Sequence, residues 1–378
     1  MSSTNNIKKL LFPFSALYGL VVWIRNKLFE WKILPVEEYS IPVICVGNIT
    51  VGGTGKTPHV EYLINLLSGQ YKVAVLSRGY KRKSSGFVLA DEQATARTIG
   101  DEPFQIFRKF PQAVVAVDVN RRRGIKKLLS LPENKKPQII LLDDAYQYRY
   151  VKPSCSILLI DSNRPIHEDA LLPAGRLREP CSGKERAEII IVTKCSSVLK
   201  PIDYRLISKH LKPHPYQSLF FTAFEYGNPT PCFKSNESET MDLKKIKESG
   251  CPVLLIAGIA NPQGLISELK TYVRQLETMI FPDHHSFSKK DIQKIETTFS
   301  QLYSTPPPPK GGVESSNVYY AAPKSPSGDL GVKVITTEKD FVRLMDCKLS
   351  EDIKKAMFYL PVTVVFKKDE EILFTKKI

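Results

Sequence analysis

The feature that most constrains this chain is GNITVGGTGKT, Gly47–Thr57. It lies between an apolar strand-like run at 41–47 (IPVICVG) and an apolar-periodic helix from about Pro58 to Leu67. A loop that wraps anionic oxygens needs backbone N–H groups able to turn inward, which favours Gly52, Gly53 and Gly55. It also needs a lysine for the terminal phosphates, Lys56, and a hydroxyl for Mg2+, Thr57. Thr50, Val51, Gly52, Gly53, Thr54, Gly55, Lys56 and Thr57 are therefore the candidate nucleotide-binding loop. Thr50 stands where the G-x-x-x-x-G-K-[ST] pattern has its first glycine, and the strand–loop–helix setting restores the match.

Along the rest of the chain, short apolar runs alternate with helical patterns. Strand-like runs fall at 73–76, 113–117, 139–142, 157–160 and 189–193, and helical patterns at 101–110 and 122–130. The runs at 139–142, 157–160 and 189–193 lack polar alternation, as expected of strands covered on both faces. The alternation predicts an α/β fold, a P-loop NTPase-like doubly wound parallel sheet. Near residue 213 the prolines Pro213, Pro229 and Pro231 change the texture, around a strand-like stretch at 218–224. A second α/β pattern follows, with strands at 253–257, near 279–281 and at 333–336, and helices at 263–269, 289–302 and 341–345. The expected organisation is an N-terminal helix at 1–33, a P-loop domain at 34–213 and a smaller α/β domain at 214–378. Residues 304–330, with Pro306–Pro309 and many Ser and Gly, have the composition of a surface insertion.

At 378 residues, 42% apolar and 25% charged, the composition is globular and excludes wholesale disorder or a fibrous repeat. Seven scattered cysteines without a CxxC argue against a disulfide framework or zinc site and for a reducing compartment. The formal net charge of +15 points to an anionic partner: nucleic acid, an anionic lipid surface or a phosphorylated substrate. The basic runs Arg78–Lys83 and Asn120–Lys127 lack the interleaved aromatics of an RNA-binding module. Near the N-terminus, Lys8 and Lys9 open an apolar run, Leu10–Ile24, that Arg25 and Lys27 close. As a helix it spans about 22 Å, short of a ~30 Å hydrocarbon core. With Pro13 inside it, no A-x-A cleavage site, and Trp23, Phe29 and Trp31 beside basic residues, it reads as an interfacial helix. A helix packed on the protein itself, or a signal or spanning segment, are the alternatives.

Three further groups carry chemistry. Asp143 and Asp144 end the run IILLDD, where a carboxylate at a parallel strand end can hold Mg2+ beside a phosphate loop. Neighbouring strand residues point to opposite faces, so one of the two is expected to face the metal. Asp101 and Glu102 of GDEP open a helix, where an N-cap and the helix dipole alone would account for both. FPDHHSF, Phe281–Phe287, places His284 and His285 in the second domain.

The ordered series GNITVGGTGKT, LSRGYKR, GDEPFQIFRKFP, LLDDAYQ, LLPAGRLREP, AGIANP, FPDHHSF and TTEKDFVRL resembles the tetraacyldisaccharide 4′-kinase family over roughly residues 10–366. These are the membrane-associated lipid A kinases of Gram-negative bacteria. The resemblance implies transfer of the ATP γ-phosphoryl group, with Mg2+, to the 4′-hydroxyl of a lipid A disaccharide 1-phosphate. It implies that Lys56 and Thr57 hold phosphates and Mg2+, that Asp101 is the general base and that His284 is its partner. Asp143 and Asp144 match the metal-associated pair, Glu102 the adjacent acid, and Arg178 and Glu179 further active-site residues. Arg121 matches a functional arginine, the run Arg121–Arg123 leaving the register open. Two departures stand out: Tyr148 replaces a histidine of the family's DDGFQH, and His285 adds a second imidazole beside His284. The resemblance further implies a peripheral protein at the cytoplasmic face of the inner membrane, with no nucleic acid and no obligate protein partner. Asp101 and His284 on separate domains imply a closing hinge. A partitioning or transport ATPase is the competing reading, and it predicts neither FPDHH nor the N-terminal helix.

Overall fold

Unbroken apolar runs become central strands, because only a strand covered on both faces can bury every side chain it carries. A computed structural model describes residues 2–196, 198–233, 241–304, 331–367 and 370–378. Apart from its first residue, the expected insertion at 304–330 lies outside these. The chain divides into two units, 1–225 with 363–378, and 226–362.

The first unit holds β1 (Val43–Gly47), β2 (Val73–Ser77), β3 (Val88–Leu89), β4 (Val114–Val117), β5 (Ile139–Asp143), β6 (Cys155–Asp161), β7 (Ile189–Thr193), β8 (Ser218–Tyr226) and, returning later, β14 (Val362–Phe366). Their order is β14-β8-β7-β6-β1-β5-β2-β4-β3. From β8 to β4 every neighbouring pair is parallel, and β3 closes that edge antiparallel to β4. Alternate residues of β1 enter different cores: Val43 and Cys45 pack with Ile125 and Leu128, Ile44 and Val46 with Val60, Leu63 and Ile64. The helices are therefore disposed on both faces, α5 (Arg121–Leu129) on one and α2 (Lys56–Ser68) and α4 (Asp101–Lys109) on the other. The short α3 (Ala96–Ile99) precedes α4, and α6 (Pro201–Leu211) links β7 to β8.

The joint expected at 213 falls elsewhere. β8 pairs in register with β7, Ile189 opposite Ser218 through Val192 opposite Phe221. β14 lies beside β8, and Phe366 and Phe374 of α12 (Glu371–Thr375) pack on Phe220. Of the prolines that changed the texture, Pro213 precedes β8 of the first sheet, while Pro229 and Pro231 lie before and within Thr230–Pro231, a strand of the other sheet. The last segment of the chain belongs to the first sheet.

The second unit is a five-stranded sheet, β9 (Thr230–Pro231), β10 (Val253–Ala257), β11 (Leu276–Ile280), β12 (Lys333–Thr337) and β13 (Met357–Leu360), ordered β11-β10-β12-β13-β9. All its pairs are parallel except β9 with β13. It carries α7 (Leu243–Ser249), α8 (Gln263–Tyr272), α9 (Lys289–Ser304), α10 (Glu338–Leu344) and α11 (Glu351–Ala356).

α1 (Ser2–Glu30) runs unbroken through Pro13. Val22 and Phe29 are buried, Ser15 Oγ donates to Leu171 O at 3.0 Å, and Tyr18 Oη donates to Arg178 O at 2.8 Å. Leu10, Phe12, Phe14, Leu17, Leu20, Val21 and Trp23 are all more than half exposed. The helix thus packs on its own unit along one stripe and presents exposed apolar side chains between Leu10 and Ile24. Among the described residues no helix is long and apolar enough to cross a membrane.

Candidate active site

Residues at the C-terminal ends of β1, β2 and β5 gather around the loop that joins β1 to α2. Gly55 is the N-cap of α2 with φ 87°, and an added Cβ would run into the ring of Phe224, so glycine is required there. The loop is laced to the segment 171–178. Val51 N donates to Arg176 O at 2.8 Å, Arg178 N to Ile49 O at 2.8 Å, and Thr50 bridges antiparallel to Leu177. Asn48 Nδ2 donates to Thr54 Oγ1 at 2.9 Å and Gln147 Nε2 to Asn48 O at 2.5 Å. The Thr50 backbone therefore sits where the loop meets LLPAGRLREP. The first-turn N–H groups of α2, at Lys56 and Thr57, have no carbonyl of their own helix to bond and suit an anion.

Lys56 Nζ lies 3.6 Å from Asp144 Oδ1, and Arg178 Nη1 lies 3.4 Å from the same oxygen. Asp144 takes a left-handed φ of 47°, which turns it out of the strand after Asp143. Partial burial pushes its carboxyl up, but Lys56, Arg178 and Arg121 outweigh this and hold it below the usual aspartate range. Asp143 is the opposite case. It is buried, and burial, then Glu102 and Asp144, push its carboxyl up to about 7 against the pull of Lys56. Ser77 Oγ donates to Asp143 Oδ2 at 3.0 Å, while Oδ1 is buried without a hydrogen-bond partner. A buried, partnerless carboxylate oxygen beside the Ser77 hydroxyl and within reach of the phosphate-loop Lys56 offers the oxygen donor that a hard divalent cation accepts. Among the described residues no group of three or more His, Cys, Asp or Glu could hold a metal by itself. Mg2+ suits such a setting, since it keeps waters and phosphate oxygens as ligands.

Asp101 and Glu102 form the first turn of α4, both half-buried. Glu102 is close enough to raise Asp143. Of the three consecutive arginines, Arg121 is the buried one, and Asp143 and Asp144 both act on it electrostatically. Arg122 pairs with Glu37 at 3.5 Å and Arg123 with Asp118 at 2.8 Å, so of the three it is Arg121 that the structure sets beside the aspartate pair. Tyr148, in the histidine's place, donates its hydroxyl to Asn120 Oδ1 at 3.0 Å and lies under the Arg121 guanidinium. Glu179 is buried against Arg186 at 2.5 Å.

In the second unit, His284 adopts φ 57° and presents Nε2 to Lys339 Nζ at 3.0 Å and Nδ1 to Arg343 Nη2 at 3.3 Å. His285 instead meets Asp291 at 3.0 Å and packs between Phe281 and Phe287. The motifs AGIANP and TTEKDFVRL had no role from sequence. They meet there through Gly258 N, which donates to Asp340 Oδ2 at 2.8 Å.

A family model described as Tetraacyldisaccharide-1-P 4′-kinase matches residues 7–305. The chain belongs to the tetraacyldisaccharide 4′-kinase family. It is 49% identical to the tetraacyldisaccharide 4′-kinase of Parabacteroides distasonis over 99% of this chain and 95% of that one. It is 47% identical to that of Bacteroides thetaiotaomicron, covering 98% and 92%. Its fold matches the crystal structure of LpxK from Aquifex aeolicus in complex with ATP, with TM-score 0.70 and 26% identity over 98% of each chain. The P-loop kinase fold expected from sequence is therefore the fold of this family member. Sequence reasoning missed Ser77, Asn48 and Gln147 as supports of the site. Ser77 was legible in principle, as the polar last residue of an otherwise apolar strand.

Proposed function

We propose that this protein transfers the γ-phosphoryl group of ATP to the 4′-hydroxyl of a tetraacyldisaccharide 1-phosphate, giving the bisphosphorylated lipid A precursor. The reading is supported most by the meeting of Lys56, Arg178, Asp144 and the partnerless Asp143 oxygen at one phosphate loop. The loop N–H groups and Lys56 bind the phosphates, and Arg121 and Arg178 face the charge that develops during transfer. Thr57, one of Asp143 and Asp144, and Glu102 would hold Mg2+, which when bound neutralises phosphate oxygens. Asp101 accepts the proton of the acceptor hydroxyl and His284 orients or relays for it, as the family resemblance implies. Such a base needs little strength when the transition state is loose.

The test is ATP-dependent phosphorylation of detergent-solubilised tetraacyldisaccharide 1-phosphate. The expected product is one phosphate heavier and is lost in Asp101→Ala and in His284→Ala. ATP hydrolysis without lipid product would favour a P-loop ATPase instead, and near wild-type turnover in both variants would remove the base assignment.

With such a substrate the protein is expected to work peripherally, at the cytoplasmic face of the inner membrane. The exposed apolar side chains of α1 and the +15 charge support this, since rings and cations suit headgroup depth. Deleting residues 1–32 is expected to move the protein from the membrane to the soluble fraction. An unchanged distribution would end that assignment.

A further inference from the structure

Three consecutive carbonyls of the phosphate loop are each taken by a side chain from beyond it. Lys194 Nζ donates to Gly53 O. Thr193 Oγ1 donates to Thr54 O at 2.9 Å, and His59 Nδ1 to Gly55 O at 2.8 Å. A carbonyl only accepts, so Nδ1 of His59 carries its proton and Nε2 receives the Thr222 hydroxyl at 3.1 Å. Lys194 is itself held by Asp161 at 2.8 Å and reaches the loop from a left-handed φ of 56°. Thr193, His59 and Asp161 are buried.

In a planar trans peptide the carbonyl of one residue and the N–H of the next point in opposite directions. Holding the oxygens of Gly53, Thr54 and Gly55 therefore sets the direction of the N–H groups of Thr54, Gly55 and Lys56. The Thr54 N–H closes on Gly52 O at 3.1 Å, which leaves those of Gly55 and Lys56 aimed away from the held carbonyls. A lysine present only to neutralise Asp161 would need no loop carbonyl, and a histidine present only to pack would need no Thr222.

We propose that Lys194, Thr193 and His59 form a carbonyl clamp that fixes the loop in its phosphate-binding shape before the nucleoside triphosphate arrives, and that they are positioning residues for it. The proposal rests on the use of ATP put forward above. Preorganised donors need no rearrangement when the anion enters, so the clamp acts on nucleotide affinity and leaves the lipid alone.

The test uses the full chain and four variants: Lys194→Met, Lys194→Arg, Thr193→Val and Thr193→Ser. It measures kcat, KM for each substrate, and Kd for a non-hydrolysable ATP analogue. Lys194→Met removes a charge-assisted bond. It is expected to raise KM for ATP and the analogue Kd about tenfold or more, with KM for the lipid unchanged. Lys194→Arg keeps a donor and is expected to stay within about threefold of wild type. Thr193→Val removes a neutral bond and is expected to weaken the analogue about fivefold, while Thr193→Ser restores it. If Lys194→Met does not fold, the Thr193 pair decides alone. Analogue binding within twofold of wild type in the folded Met and Val variants would overturn the clamp. So would equal losses in kcat and both KM values that Arg and Ser fail to rescue. A wild-type protein that does not bind the analogue would overturn the ATP reading itself.

Discussion

The strand ends of the two units are built from similar parts and treat their backbone differently. In the second unit the turn after β10 gives its Gly258 N–H to Asp340 Oδ2, and Thr337 Oγ1 donates to the same oxygen at 2.7 Å. Arg343 closes on the other oxygen at 3.0 Å, so the carboxylate is saturated from within. In the first unit it is the carbonyls of the turn after β1 that are satisfied internally, at Gly53, Thr54 and Gly55. The half of each peptide group that the protein satisfies for itself decides which half is left for a ligand. A parallel sheet edge does not by itself make an anion site.

That contrast predicts opposite consequences for two lysine- and aspartate-bearing turns. The largest effect is expected at Lys56. Lys56→Met is expected to lower kcat/KM for phosphoryl transfer by roughly 10²–10³, with the thermal midpoint of the nucleotide-free protein almost unmoved. A large loss of stability with modest loss of rate would reverse the contrast. Asp340→Ala should do the converse. It strands the Gly258 N–H and takes the carboxylate from Arg343, whose side chain is only 7% exposed, and about 3 kcal/mol of unfolding free energy should be lost in denaturant titration. A loss below about 1 kcal/mol would mean that the saturated carboxylate is replaceable. The smallest effect concerns Asp291, whose carboxyl Ser288 and then His285 hold down at about 2. Its folded value lies below its unfolded one, so its stabilisation is present above the ordinary aspartate value and lost as pH falls toward 2. The difference in thermal midpoint between wild type and Asp291→Asn is expected to narrow across that range. A constant difference would remove the ionic contribution.

What the sequence made legible was local. The apolar runs at 139–142, 189–193 and 253–257 became β5, β7 and β10 with ends within a residue, because no polar position interrupts them. The loop at Gly47–Thr57 was legible because its glycines and GKT serve a backbone conformation, and that requirement is written in residue type. β14 was not: Val362–Phe366 looks like any short strand, and nothing in it records that its neighbour is β8, more than a hundred residues earlier. α6 has no counterpart among the helical patterns read from the sequence; its Pro201 occupies the first turn, where proline is tolerated. Within the site, Lys56, Asp143 and Asp144 follow from motif spacing. Thr193, Lys194 and His59 do not, since a side chain that bonds a backbone oxygen leaves no constraint on the residue it meets. The roles of Asp101 and His284 rest on family resemblance and the proposed assays.

The return of the chain to its first sheet has a consequence for the order in which the protein is made. β8 leaves the ribosome well before β14, with all of 227–361 synthesised between them. At ordinary elongation rates that interval is roughly ten seconds or more. Throughout it β8 is the outermost strand of a parallel sheet. Phe220 then lacks the Phe366 and Phe374 rings that cover it, and Phe221 N and O lack Glu370 and Lys367. An unpaired edge of that kind is a template for intermolecular pairing. The nascent kinase therefore depends on its last strand to seal its first domain, and a ribosome that stalls inside the second unit leaves that seam open.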